Sequence, residues 1–284
     1  MWWKASSKIF FIAAFLCSAC QKAPPSSSPV VDAAIADATL PQAPGLIDAA
    51  TDSAFTVAPP STNFDAYVIA VPKSGKPIGH TSVAYKLKFE NGLEAAYKPD
   101  SKRGRGRYKG EIAAYRLGVA LGLSNVPPAM YRSFETSSIQ KALHGEGLAL
   151  FQEEAIVVSG AVNGVLIPWI PKLEFLPLES DTWISKWKGW LSTASVPEES
   201  KRLAGQISTL LAFDFVTGNW DRMSGANVGY DKASDTLLFV DNDGAFFDPV
   251  PKARNEKQFE TLRHTVRFSR SFIAALRGFT EEDA

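Results

Sequence analysis

The sequence predicts an α+β fold in two lobes: a small antiparallel β-sheet with one helix, then a mainly helical part. Three observations predict it. Two alternating apolar runs flank Asn91-Gly92, a strong two-residue hairpin signal. An amphipathic helix opens at Gly110-Glu111 and is ended by Gly122 with Pro127-Pro128. Much later a long helix, Glu198 to Thr217, stops at Gly218 in a polar turn, Asn219-Trp220-Asp221-Arg222, followed by Asn227. A short apolar run, Leu237 to Val240, then stops at Asp241-Asn242-Asp243-Gly244. Carboxylates and amides on loops at the exits of buried segments are where metal and phosphate chemistry is usually held. Either stretch alone reads better as an Asx-rich turn joining strands, and only the two in this order shift the balance toward metal and phosphate chemistry.

A chain of 284 residues holds one large domain or two lobes, with core enough to need no staples. Its 30 basic and 30 acidic residues balance, so no global field draws it to nucleic acid or a membrane surface. The only cysteines, Cys17 and Cys20, lie in the first segment, which leaves the folded part without a disulfide or a cysteine zinc site. His80, His144 and His264 are scattered and show no metal-ligand spacing.

Residues 1–20 carry Lys4 and Lys8, an apolar run from Ile9 to Leu16, then Cys17-Ser18-Ala19-Cys20. This is a basic n-region and an h-region too short for a permanent span. The small residues before Cys20 resemble the lipobox of bacterial lipoproteins, in which that cysteine is acylated; Cys17 stands where Leu is expected. Secretory cleavage at Ala19 and an internal core segment are the alternatives. Gln21, in place of the Asp that marks inner-membrane retention, favours an outer-membrane address in the bacterial envelope. From Gln21 to about Asn63, Ala, Pro, Ser and Asp leave almost no aromatics, the composition of a disordered tether. The expected organisation is a signal peptide over 1–20, a tether over 21–63 and a folded domain over 64–284 divided at 158/159.

In the first lobe, Tyr67 to Val71 reads as a strand and Pro72 to Ser82 as a small-residue turn containing Gly75 and Gly79. Such a turn can lay backbone N–H groups over phosphates, although two glycines four apart signal this weakly. Val83 to Phe89 alternates, the hairpin returns through Leu93 to Tyr97, and Lys98 stands at the strand end. The basic run Lys102 to Lys109 reads as a solvated loop, or as a site for anionic lipid, substrate or ATP phosphate. It lacks the aromatic platforms and wider basic surface that nucleic acid requires. Glu111 falls in the first turn of the next helix, where it can pair with Lys98 or simply answer the helix dipole. Leu148 to Phe151 and Ala155 to Val158 read as a strand pair, and Ser159 to Pro171 as the crossing between lobes. Trp183, Trp187 and Trp190 recur at near-helical spacing and read as core. A last helix is expected over Gln258 to Leu276, with Arg263, Arg267 and Arg270 near one face; the helical lobe is short.

A-Y-K-P-D, G-E-I-A-A-Y-R-L-G-V-A-L-G-L-S-N-V-P-P, F-D-F-V-T-G-N-W-D-R and L-L-F-V-D-N-D-G-A-F-F together resemble the atypical kinase family of the Golgi casein kinase. Phosphoinositide kinases and HipA-type bacterial kinases are more distant relatives of the pattern. The resemblance covers roughly Gly75 to Phe247 and implies a two-lobed protein-kinase-like fold, with adenine in the crossing between lobes. It implies an ATP-dependent phosphotransferase using Mg²⁺ or Mn²⁺, with a hydroxyl acceptor on protein, glycan or lipid. Lys98 would contact ATP phosphates, Glu111 would orient Lys98, and Asp221 would be the catalytic Asp. Asp241 would bind the metal with Asn227 or Asp243, and Gly75 and Gly79 would lie over the nucleotide. Met223 replaces the His that often follows the D-R pair, and the cysteine-rich features of the animal secreted kinases are absent. Asn227 lies six residues after Asp221, where protein kinases space the pair by about five. These departures keep a catalytically weak binding module that holds nucleotide, lipid or a protein without transfer, and nucleotidyl transfer on the same fold, as alternatives.

Overall fold

In the computed structural model the described residues are 45–47, 64–79, 82–192, 195–223, 225–247, 251–280 and 283. Cys17, Cys20, the expected signal peptide, most of the tether and His80 lie outside them. Within the stretch expected as tether, Gly45–Ile47 forms a strand, β1. Tyr67 to Val71 is not a strand. A single helical turn, α1 (Asp65–Val68), stands there instead, with Tyr67 N–H and Val68 N–H both donating to the Phe64 carbonyl. The turn drops Tyr67 into the core and leaves Val68, Ile69 and Val71 exposed.

Pairing begins at β2 (Pro72–Pro77), antiparallel to β3 (Tyr85–Phe89), which forms the hairpin with β4 (Glu94–Pro99). Tyr85, Leu87 and Phe89 point to the buried face, as their alternation requires, and Gly92 takes the left-handed φ of +83° that the tight turn demands. The expected turn from Pro72 to Ser82 is therefore mostly strand. Prolines sit at both ends of this edge strand, where the ladder tolerates them. Gly75 is opposite Leu87, and a Cβ there would come within 2.7 Å of the Leu87 side chain and 2.8 Å of Leu143. Close packing, not a bend, is what calls for glycine at that position. Past Pro77, Ile78 N–H donates to the Ala84 carbonyl at 2.9 Å and Gly79 takes a φ of +78°.

The helix α2 (Tyr108–Ala120) follows, then β5 (Met130–Glu135), α3 (Thr136–Ala142), α4 (Gly145–Glu154), β6 (Val157–Val158) and β7 (Ala161–Pro168). Strand order is β2-β3-β4-β7-β5 with β6 on β7, antiparallel throughout. Leu148 to Phe151, expected as a strand, is helical: four apolar residues in a row do not distinguish the two. Phe151 faces the sheet, its ring 6.2 Å from that of Tyr85. The expected division at 158/159 and crossing at Ser159 to Pro171 also shift. Ala161–Pro168 lies between β4 and β5 in the first sheet, so the chain leaves that lobe after Pro168.

The second lobe holds β8 (Glu174–Phe175), α5 (Asp181–Leu191), a 3₁₀ turn at Glu198–Ser200, and α6 (Lys201–Thr217). Every residue of α6 from Ala204 to Thr217 is buried, its apolar side chains in the core and its polar ones, Gln206, Asp214 and Thr217 among them, hydrogen-bonded. Trp187 of α5 packs into the same core, as its spacing predicts. Next come β9 (Val228–Asp231) and β10 (Thr236–Phe239), in a small sheet of order β10-β9-β8. The single helix expected from Gln258 to Leu276 is two, α7 (Lys252–Arg263) and α8 (Arg270–Gly278). Between them β11 (Arg267–Ser269) pairs in parallel with β1, and the Ser269 hydroxyl caps α8 at Phe272 N–H.

Phe151→Ala is expected to destabilise the protein by about 3–5 kcal/mol, as a buried aromatic truncation does. A fall in the urea midpoint at unchanged slope would register it; no shift would contradict the packing of α4 on the sheet.

Candidate active site

Lys98 is placed by simple alternation. Tyr97 points into the sheet core and Lys98, next along β4, points to the other face, toward the second lobe. Glu111, in the first turn of α2, is 3% exposed. The Lys98 ammonium donates to Glu111 Oε1 at 2.5 Å and to Asp241 Oδ1 at 2.6 Å, and lies 3.6 Å from Asp243 Oδ2. Burial alone would push this ammonium toward its neutral form. Asp241, Glu111 and Asp243 outweigh it and hold Lys98 well above the usual lysine range. Burial pushes the Asp241 carboxyl up, but Lys98, with Arg222 and Arg107, brings it below the ordinary carboxylate range. Asp243 has weaker compensation, and burial pushes it up to about 6 against the pull of Lys98. Side chains from both lobes thus meet on one ammonium, which the sequence suggested for Lys98 and Glu111 and the structure extends to Asp241 and Asp243.

The second-lobe half of the site is held by residues that sequence reasoning passed over. Gly218, at φ +65°, reverses the end of α6. Four residues before it, buried Asp214 takes Arg222 in a fork: Nε at 3.1 and 3.0 Å from its two oxygens, and Nη2 at 3.0 Å from Oδ1. The same guanidinium donates to the carbonyls of Asn227 (2.7 Å) and Val240, and to Asn242 Oδ1 at 2.5 Å. One buried arginine therefore ties the Asn219–Arg222 turn to the start of the Asp241–Gly244 loop. Burial pushes the Asp214 carboxyl up to about 6, with Arg222 opposing the rise. The signal was available, since an acid and an arginine bracket the turn within F-D-F-V-T-G-N-W-D-R.

Asp241 itself has φ +59°, a left-handed conformation costing a non-glycine residue on the order of 1–3 kcal/mol. Neighbours impose it: Arg222 on the preceding carbonyl, and fully buried Asn219 donating to the Asp241 carbonyl at 3.4 Å. Two glycines let the backbones close in. A Cβ on Gly110 would lie 2.8 Å from the carbonyl oxygens of Asn242 and Ala245, and one on Gly244 would lie 2.8 Å from Asn219 Oδ1. Gly110 thus allows the first turn of α2, and Glu111 with it, to press against the acidic loop.

The remaining expected residues divide. Asp221 Oδ2 lies 4.0 Å from Arg107 Nη2, whose closer contact is Asp243 Oδ1 at 2.6 Å. Arg107, from the basic run, thus joins the site without having been singled out. Asn227 Nδ2 donates to the Asp221 carbonyl at 2.9 Å, so this amide braces the turn. Gly79 opens the loop whose later residues, Ser82 and Val83, line a cavity of about 190 Å³ together with Lys98, Arg107 and Asp243. Gly75 does not line it, being inside the sheet.

Among the described residues no group of three or more His, Cys, Asp or Glu forms a metal cage by itself. Mg²⁺ sites in phosphate-transfer proteins need less, because one or two carboxylates act with the substrate's own phosphates and water. Asp241 and Asp243 converge on Lys98, and Lys98 and Asp243 line one cavity with Arg103 and Arg107, a donor set that fits a metal–polyphosphate pair.

Among solved structures the chain is similar to the Golgi casein kinase, with a TM-score of 0.53 at 14% identity over 76% of this chain and 64% of that one. The chain therefore spans less than two thirds of that kinase's length. It is also similar to the Golgi casein kinase with Mn and ADP bound (TM-score 0.46, 14% identity, 75% and 71% covered). A third structure, hydra Fam20 with sugar, gives a TM-score of 0.48 at 15% identity over 75% and 84%. No family model matches the chain, and no curated protein does. At such identities likeness speaks to architecture alone. The fold is α+β and two-lobed, of the kinase-like class, its first lobe built on an antiparallel sheet.

Arg222→Leu is expected to cost about 3–5 kcal/mol, because it leaves Asp214 buried without its partner. Chemical unfolding measures this. A cost under about 1 kcal/mol would mean that the turn and the acidic loop hold together without the arginine.

Proposed function

We propose that this chain is an ATP-dependent phosphotransferase that moves the γ-phosphate to a hydroxyl acceptor on a protein, glycan or lipid. The observation that carries the reading is the convergence of Lys98 and Glu111 from the first lobe with Asp241 and Asp243 from the second. On this reading Asp241 and Asp243 would hold Mg²⁺ or Mn²⁺, which would supply positive charge against the nucleotide's phosphates. Lys98, oriented by Glu111, neutralises phosphate charge. Asp221 orients the acceptor hydroxyl and takes its proton as the new O–P bond forms and the bond from the γ-phosphorus to ADP breaks. Such catalysis is chiefly positioning and charge stabilisation.

A second reading, a binding module that holds nucleotide without transferring phosphate, is favoured by one observation. Asn227 stands six residues after Asp221, where protein kinases space the pair by about five, so the Asn that kinases direct at a second metal is displaced along the chain here.

Asp221→Asn is expected to keep Mn·ATP binding, read by thermal shift, while lowering transfer from γ-labelled ATP about a thousandfold, near 4 kcal/mol of barrier. Nucleotide-dependent stabilisation of the unmutated protein without transfer to any acceptor would select the binding module. Transfer of an α-label instead would select nucleotidylation.

The N-terminal segment supports a further proposal, acylation at Cys20 and attachment to the bacterial envelope, most simply at the outer membrane. Metabolic labelling with a fatty acid should mark the unmutated chain and not Cys20→Ser. Equal labelling of both would remove the anchor.

A further inference from the structure

We infer that Arg107 is a second phosphate-binding cation of the cleft, held on Asp243 and Asp221 until metal and nucleotide arrive. The inference rests on the phosphotransfer reading and names a residue which that reading leaves without a task.

Members of the basic run differ in what they touch. Lys102 donates to the Glu153 carbonyl, and Arg103 pairs with Glu154 at 2.8 Å, so both fasten the loop to the end of α4. Arg105 is exposed. Arg107 faces the cleft and lines the same cavity as Lys98. It contacts Asp243 twice, through Nη2 to Oδ1 at 2.6 Å and Nε to the backbone carbonyl at 3.4 Å, and its guanidinium carbon lies 5.5 Å from the Trp220 ring centre. Two of its five N–H donors are thereby used, which leaves a fork able to take phosphate oxygens.

The loop that presents it is braced. Asp100 Oδ1 accepts from Gly106 N–H at 2.8 Å, Arg107 N–H reaches the Gly104 carbonyl at 3.0 Å, and Gly106 supplies a φ of +74°. The backbone under Arg107 is thus fixed, and redirecting it requires only side-chain rotation.

Charge supplies the reason for it to turn. Four carboxylates, Glu111, Asp221, Asp241 and Asp243, share two cations, Lys98 and Arg107, over these short distances. A divalent ion taken up by Asp241 and Asp243 would satisfy the carboxylate that now holds Arg107, and a triphosphate would bring new negative charge into the cavity that Arg107 lines. Arg107 therefore opposes binding of a bare metal ion and favours binding of a metal–triphosphate. A merely structural arginine would not act with opposite sign on the two.

The test uses the full chain, with Mn²⁺ alone followed by paramagnetic resonance and Mn·AMP-PNP followed by calorimetry. Arg107→Ala is expected to bind bare Mn²⁺ about threefold more tightly and Mn·AMP-PNP about tenfold more weakly, with Arg107→Lys recovering part of the second loss. An unfolding midpoint close to that of the unmutated protein shows that the fold survives, and Arg107→Gln serves if the alanine variant does not fold. If the unmutated protein binds Mn·AMP-PNP and the variants leave both affinities unchanged, or move them in the same direction, this inference fails and the phosphotransfer reading stands. If the unmutated protein binds no Mn·AMP-PNP, both fail.

Discussion

The structure depends on a single buried ammonium. Lys98 is 12% exposed and sits among Glu111 of α2 and Asp241 and Asp243 of the acidic loop, so that with β4 three separate segments meet there. Burying a cation away from water costs several kcal/mol, and only close, well-directed partners offset it. Each partner is therefore under geometric obligation. β4 must end in register with β7 so that Lys98 stands opposite Val165, and α2 must begin where Glu111 can reach. The acidic loop must come up from the other lobe. Gly164 shows how tight the strand side is, since a Cβ there would lie 2.5 Å from the Lys98 carbonyl.

Around that ammonium the second lobe carries a rigid frame. A kinase-like site needs acids on loops, yet loops are the parts of a fold that move most readily. Here the frame is polar and buried: Asp214, Arg222, Asn219 and Asn242 bond to one another or to the two acid-bearing loops. The arginine's contacts to two backbone carbonyls matter as much as its fork on Asp214, because they hold the backbone on either side of the β9–β10 hairpin. The left-handed Asp241 is the consequence. Its unfavourable backbone persists because the frame over-determines it.

Much of this was legible in the sequence, in proportion to how local each signal was. The Asn91-Gly92 hairpin, the helix carrying Glu111, the long buried helix and the two acid-bearing turns all announce themselves within a dozen residues. What failed depended on long-range packing. Gly75 reads as a bend because nothing near it in sequence shows the leucines that crowd its α-carbon. The Leu148 to Phe151 run looks the same as helix or strand until Tyr85 is known to lie under Phe151. Ala161–Pro168 lies between β4 and β5 only because strands more than sixty and about thirty residues earlier in the chain leave that place vacant. For the site, types and order were readable, but partners were not. Asp214 and Arg222 lay inside the quoted motif and were passed over because a buried ion pair has no short-range signature. The reach of Arg107 into the cleft was hidden in a run that looks like solvated charge.

The two lobes are joined, at this point, by the same groups that would receive a ligand. Lys98 bridges α2 to the acidic loop, and Arg107 adds a second bridge from the start of α2 to Asp243. Any metal taken by Asp241 and Asp243 competes with both bridges, and any polyphosphate offers both cations a replacement. Exchange of one set of partners for the other leaves the cleft electrically satisfied while changing what spans it. On the proposed reading, ligand occupancy and the attachment of one lobe to the other are coupled through the same few ion pairs. On that reading the coupling follows from placing both cations, Lys98 and the half-buried Arg107, where the lobes meet.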